Sequence, residues 1–297
     1  MKSLVTPKQV ANAIGVSESS LKRWCDRGLI PTVRTGGGHR RLPINGVIDY
    51  LRRSEHPISH PELLGLPSAT GKTVRVVERA KDDLVEGLLK GNEQLIQQIL
   101  FDLYLAGHRI AEICDHAISC AFEEIGSRWE CGSADVYQER RACEIMSRVL
   151  NELRQAIIPP DFNQKAIGGT LNGDQYVIPN GIAELVLREN DWDATSLGTS
   201  IPIENLEAAV RDEKPKLFWV SVSYIPDEKQ FLDDFPKLTE VCEENDVAFA
   251  VGGRVLTESI REQLKYSAFC DTMQHLESFA RTLHKPKARN SLGEITG

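Results

Sequence analysis

No stretch of this 297-residue sequence is apolar for long enough to cross a bilayer, which takes about 20 residues. No basic start with an apolar middle opens it, so a cytoplasmic protein without a membrane partner is expected. Cysteine is present but unorganised. Cys25, Cys114, Cys120, Cys131, Cys143, Cys242 and Cys270 are odd in number and contain no C-x-x-C, which argues against a disulfide framework and a zinc site. Cys114 and Cys120 lie six apart on a helical pattern, point to different faces, and read as small buried residues. Also missing are a phosphate-binding glycine loop with its lysine, a nucleophile with a base beside it, and any His/Cys metal cluster. The pairs Glu123-Glu124 and Glu243-Glu244 read as solvated helix surface. Catalysis, catalytic residues and metal ligands are therefore not expected. What remains is ordinary soluble composition, 41% hydrophobic and 26% charged, in a length that suits two or three domains.

Charge is unevenly spread. Residues 1–53 hold ten Lys and Arg against three acids, a net +7, while the whole chain is −8 and the remainder therefore −15. A basic head on an acidic body places any polyanion contact at one end.

Within that head, Thr6 is placed to cap a helix with Pro7 in its first turn, and Val10, Ala13 and Ile14 make its apolar stripe. Gly15 suits the left-handed turn that ends it. Ser17 then caps a second helix over Glu18–Asp26, with Leu21 and Trp24 inward and Ser19, Ser20, Lys22 and Arg23 outward. Two short helices across a tight turn make a helix-turn-helix whose second member suits the major groove. Val33–Thr35 and Arg40–Leu42 can pair as a hairpin across Gly36-Gly37-Gly38, presenting Arg34, His39, Arg40 and Arg41. A third helix over Asn45–Arg53 returns Val47, Ile48 and Leu51 to the core. In order and separation, VANAIGVSESSLKRW, GLIP and GGGHRR resemble the winged-helix DNA-binding domain of MerR-type regulators. That resemblance implies double-stranded DNA as partner, contacted by Ser17, Ser19, Ser20, Lys22, Arg23, Arg34, Gly37, Gly38, His39, Arg40 and Arg41.

Residues 54–72, with three prolines, two glycines and no sustained period, read as a linker carrying exposed His56 and His60. From 73 to 158 the pattern is helical throughout: one helix to Lys90, one from Asn92, one from Arg109 to Gly132, and one from near Ala134 that ends before Pro159-Pro160. These predict an antiparallel four-helix bundle. From 160 to 285 strands and helices alternate. Strands are expected at Lys165–Thr170, Ala194–Gly198, Leu217–Ser221, Ala248–Val251 and Tyr266–Phe269. This predicts a five-stranded parallel, doubly wound, flavodoxin-like α/β domain, with ligands at the carboxyl ends of its strands. Residues 286–297 read as a polar tail.

The order winged helix, helical bundle, α/β domain resembles the cobalamin-dependent photoreceptor repressors, whose α/β signature is D-x-H-x-x-G, then S-x-L, then G-G. Here Asp174-Gln175-Tyr176-Val177-Ile178-Pro179, Ser221-Val222-Ser223 and Gly252-Gly253 stand in those places. The resemblance implies a pocket of Asp174, Tyr176, Ser221, Ser223, Gly252 and Gly253, with Trp129, Glu139 and Arg140 of the bundle on its other side. It also implies a histidine ligand to cobalt at 176 and a second histidine at 140, and these are tyrosine and arginine. Pro179 replaces the glycine beside which the cofactor's nucleotide tail would pass. Two readings follow. In one a corrinoid is still held; in the other, which the three replacements favour, normal cobalamin ligation is lost and the module serves oligomerisation or another signal. In the second reading Tyr176 fills the vacated space and bonds through its hydroxyl. Either way the expectation is a transcriptional regulator, a repressor, acting as at least a homodimer and answering to a small-molecule effector or an antagonist protein.

Overall fold

The computed structural model describes residues 3–72, 76–158 and 164–284, and the chain divides into two compact units that part after Ile158. The expected tail, residues 286–297, lies outside the described residues, as do Thr73 and Pro159-Pro160 at the ends of the bundle.

The first unit begins with β1 (Leu4–Val5), α1 (Pro7–Ala13), α2 (Glu18–Asp26), β2 (Val33–Arg34), β3 (Arg40–Pro43) and α3 (Ile44–Ser54). Thr6 caps α1 reciprocally with Gln9, and Ser17 caps α2 through the Ser20 amide, satisfying amides that no earlier turn can. The strands form an antiparallel sheet in the order β1-β3-β2, with Val5 opposite Leu42 and Arg34 opposite Arg40. Val10, Leu21, Ile30, Leu42, Val47 and Ile48 close a core between helices and sheet.

The segment expected as a linker is folded structure. Ile58, Leu64, Leu66 and Thr70 are buried, and Pro61–Leu64 makes a 3-10 turn. The Ser59 and His60 amides both donate to the Ala13 carbonyl at the end of α1, at 2.8 and 2.9 Å. His56 is not a free surface residue either, since its ring packs edge-on against Trp24 at 5.8 Å. Prolines here set turns in a packed strap rather than loosening a tether.

The strap leads into a bundle of α4 (Ala80–Lys90), α5 (Glu93–Leu105), a third helical stretch and α8 (Val136–Ala156). Val77–Arg79, expected as the start of α4, is a 3-10 turn. The third stretch is α6 (Ile110–Ile113), a π segment (Cys114–Ile118) and α7 (Ser119–Glu130). Its buried Ile113, Ala117, Ala121 and Ile125 recur every four residues, more than the 3.6 of an α-helix, and the wider π turn takes up the drift.

The second unit contains β4 (Lys165–Gly169), α9 (Val177–Glu189), β5 (Asp193–Ser196), α10 (Ile203–Glu213), β6 (Leu217–Ser221), α11 (Glu228–Glu244), β7 (Ala248–Gly252), α12 (Glu258–Arg261), β8 (Ala268–Phe269) and α13 (Met273–Leu283). All five strands are parallel, in the order β5-β4-β6-β7-β8. Alternation along β6 divides the core: Phe218 and Val220 pack with α10 and α11, while Leu217 and Trp219 face α9 and α13. The first face is rich in phenylalanine and branched aliphatics. The second combines Ala166, Ala183, Ala194 and Ala250 with two large indoles, Trp192 and Trp219.

Acid sensitivity follows from the bundle's ion pairs. Arg148 on α8 bonds both carboxylate oxygens of Glu93 on α5, and Arg128 joins Glu86 and Glu124. Hydrogen bonds from these arginines, ahead of all other causes, hold the three carboxyls below the usual glutamate range. Groups so depressed stabilise the folded chain fully above their unfolded values and lose that contribution as pH falls through the folded ones. Arg148→Met should therefore lower the unfolding midpoint in urea near neutral pH, with the deficit shrinking toward zero below the glutamate range; a deficit constant with pH would contradict the assignment.

Candidate nucleic-acid interface and ligand module

The amphipathic pattern of α2 buries Leu21 and Cys25 and leaves Ser19, Lys22 and Arg23 exposed. Three serines at its start bond one another. The Ser17 hydroxyl accepts the Ser20 amide, donates to the Ser20 hydroxyl at 3.0 Å and shares a hydrogen with Ser19 at 2.8 Å. Arg23 adds a bond to the Ser20 hydroxyl at 3.3 Å. The hairpin turns at Gly38, whose φ of +77° is a left-handed value that a side chain would resist. The Gly38 amide bonds the Thr35 carbonyl, and Arg34 reaches the Gly38 carbonyl. Gly37 and His39 sit exposed at the tip, and Arg41 is half-buried beside its neighbour's carbonyl.

Arg40 departs from expectation. Its guanidinium donates to Asp26 at the end of α2, at 2.8 Å, and that bond is the main cause pushing its pKa up. The residue expected to hold DNA is instead engaged in fixing the hairpin against the second helix. Asp26 escaped the sequence reading because an acid at a helix end ordinarily faces water. Only the β2–β3 register brings Arg40 to it.

In the second unit the strand order reverses between β4 and β6, the position where open α/β sheets admit ligands. Asp174 occupies it with 1% exposure. Its Oδ1 accepts the Tyr176 amide at 3.0 Å, and its Oδ2 accepts the amides of Ser223 at 2.6 Å and Tyr224 at 3.2 Å. Its carbonyl accepts the Ser200 amide, so one residue ties together the loops that follow β4, β5 and β6. Ser221 ends β6 nine-tenths buried, and the Val222 amide bonds the Gly252 carbonyl. Gly253 has φ +142°, and a Cβ there would strike the Val222 carbonyl.

Tyr176 does not fill a vacated space: it is 49% exposed, as is Tyr224 at 51%. The layer between β6 and α9 beside it is filled by Trp219. Trp219, 3% exposed, lies against the bare backbone of Gly168, where an added Cβ would collide with its ring. The indole Nε1 donates to the Asn180 Oδ1 at 2.7 Å, and the buried Asn180 amide donates to the Ser196 hydroxyl and the Gly198 carbonyl. A glycine opposite a tryptophan on adjacent strands was the available signal.

In the bundle, Trp129 is 50% exposed at the end of α7 and the Arg140 side chain is 73% exposed. Glu139 pairs with Arg140 at 3.5 Å and accepts from the Cys143 thiol, which burial and then this carboxylate push up to about 12. Among the described residues no cluster of His, Cys, Asp and Glu is arranged to hold a metal ion.

Comparison with known proteins resolves the parts. Residues 4–55 match a helix-turn-helix domain family, and residues 80–154 match a B12 binding domain family. The chain carries both domains. Trimethylamine corrinoid protein 1 of Methanosarcina acetivorans is 19% identical over 212 residues, covering 70% of this chain and 96% of that protein. The trimethylamine corrinoid protein of Methanosarcina barkeri is 20% identical over 193 residues, covering 64% and 87%. The monomethylamine corrinoid protein of Methanosarcina barkeri has the same fold over 69% of this chain and 97% of its own, with a TM-score of 0.58 at 17% identity.

The residues around the switch point do not fit a corrinoid gripped by a protein imidazole with its tail inserted there. Position 176 offers an exposed phenol, the Asp174 carboxylate is already met by three amides, and Trp219 with Asn180 fills the layer between β6 and α9 with its hydrogen bonds made. Asp174→Ala would strand three amides and should destabilise the second unit by roughly 3 kcal/mol or more. Trp219→Phe, which strands only the Asn180 oxygen, should cost about 1–3 kcal/mol. Equal losses in chemical denaturation would show that the carboxylate is not the tie described here.

Proposed function

We propose that this protein is a transcriptional regulator of MerR type, a repressor, that binds double-stranded DNA through α2 and the β2–β3 hairpin. The observation that carries the reading is the exposed cationic face of Lys22, Arg23 and Arg34, with half-buried Arg41 beside it, on a chain whose remainder is strongly acidic. Lys22 and Arg23 face base edges and phosphates, while Ser17, Ser19 and Ser20 shape the start of the helix that enters the groove. Arg34, His39 and Arg41 hold the backbone, and Arg40 with Asp26 sets the angle between hairpin and helix. One such head makes few contacts, so useful affinity calls for at least a homodimer. The B12-type body supplies oligomer contacts and receives a signal, from an effector or an antagonist protein, in the cytoplasm. It performs no catalysis.

The body has a tyrosine at 176, where the cobalamin signature has histidine, and a layer beneath Asp174 filled by Trp219 and Asn180, which supports a signal other than histidine-ligated cobalamin. A second reading, a corrinoid held without a protein ligand, is favoured by the match of residues 80–154 to the B12 binding domain.

Two measurements test this. Purified after growth with adenosylcobalamin or methylcobalamin, the protein should be colourless; a stoichiometric corrinoid spectrum would replace the first reading of the body with the second. Lys22→Ala with Arg23→Ala should weaken DNA binding by about tenfold or more and reduce the slope of log affinity against log salt by about 1–2. An unchanged slope would remove α2 from the interface.

A further inference from the structure

The first unit contains a joint that nothing in its two domain matches assigns. The Arg52 guanidinium on α3 crosses from the head to the turn after α5, donating to the His108 carbonyl at 2.8 Å and the Gly107 carbonyl at 3.3 Å. Its plane also lies over the Tyr104 ring, 4.2 Å from the centroid. The carbonyls at a helix C-terminus suit a cation, and the aromatic face suits a planar one better than a lysine's compact charge. The strap makes a second crossing. Its near end is held to α1 by the Ser59 and His60 amides, and its far end by the Gly71 amide on Oδ1 of Asp102, a carboxylate 3% exposed on α5. Ile58, Leu64 and Leu66 are buried along the way, and α3 packs on α5 and α8.

We infer that Arg52 and the Asp102-anchored strap are positioning elements that hold the DNA-reading head in one orientation on the bundle, so the body dictates which half-site spacing the protein accepts. A head on a free tether samples many separations, and two such heads on one oligomer tolerate variable spacing in their operator. A head clamped at two places, on both sides of α1–α3, presents its second helix at one angle and distance. Spacing then becomes part of the recognised sequence, because moving a half-site by about 5 bp turns it to the opposite face of the duplex. The inference rests on the DNA-binding reading above and adds what sets the geometry of that binding.

The test is selection of binding sites from a random duplex pool, with full-length protein and with Arg52→Ala/Tyr104→Ala. Wild type should select paired half-sites at a single spacing. The variant should recover the same half-site sequence with spacings scattered, and its affinity for an isolated half-site should stay within about twofold, since both substitutions lie outside the reading face. Arg52→Lys, which keeps charge without the planar group that lies over Tyr104, should scatter the spacing as well. Hydrogen exchange gives a reading independent of DNA: the Ser59, His60 and Gly71 amides, bonded to head and bundle, should be protected in wild type and exchange at least tenfold faster in the double variant. Scattered spacing in wild type, unpaired sites, or one spacing retained by a correctly folded double variant would overturn the inference. Failure to select any DNA would instead defeat the proposed function.

Discussion

The carbonyl of Ala13 receives two amide hydrogens from the chain that leaves the head, and the meaning of the first unit depends on that capture. A helix end ordinarily leaves such carbonyls to water. Here the Ser59 and His60 amides occupy one, directing the prolines that follow into a groove where apolar side chains are covered. Reader and bundle thus share one folded unit, and the boundary between matched domains is not a boundary in packing.

The second unit shows a comparable economy around Asp174. Parallel sheets leave loop amides unpaired at their carboxyl ends, and a phosphate or carboxylate from a ligand often meets them. In this protein a side chain of the fold does so. The neighbouring layer repeats the theme, with an indole and a carboxamide satisfying each other beside a glycine. The two tyrosines at the surface, Tyr176 and Tyr224, are tied to Asp174 through their backbone amides.

Much of the fold was legible from period and punctuation. Thr6, Ser17 and Gly91 marked helix ends at the observed places, and short apolar runs marked the central strands. Three features were not. The strap reads as polar and proline-rich because its few apolar residues are spaced by no regular element, so burial there is decided by partners distant in sequence. The π segment hides within a helical pattern, since its extra width appears only as a steady step of four. Arg40 looks like every other basic residue of the hairpin until the strand register puts Asp26 beside it. Of the ligand module, the loss of histidines was plain in the sequence. The filling of the layer between β6 and α9 was not, because Trp219 and Gly168 lie 51 residues apart and meet only through strand adjacency.

The closure at Trp219 is made by a side chain over an otherwise intact backbone. Such a filling carries no topological commitment: the strands and their order do not depend on it, and one aromatic ring with its carboxamide partner occupies the layer between β6 and α9. The filling of this layer can therefore change through side chains alone while strand order and loop positions stay as they are.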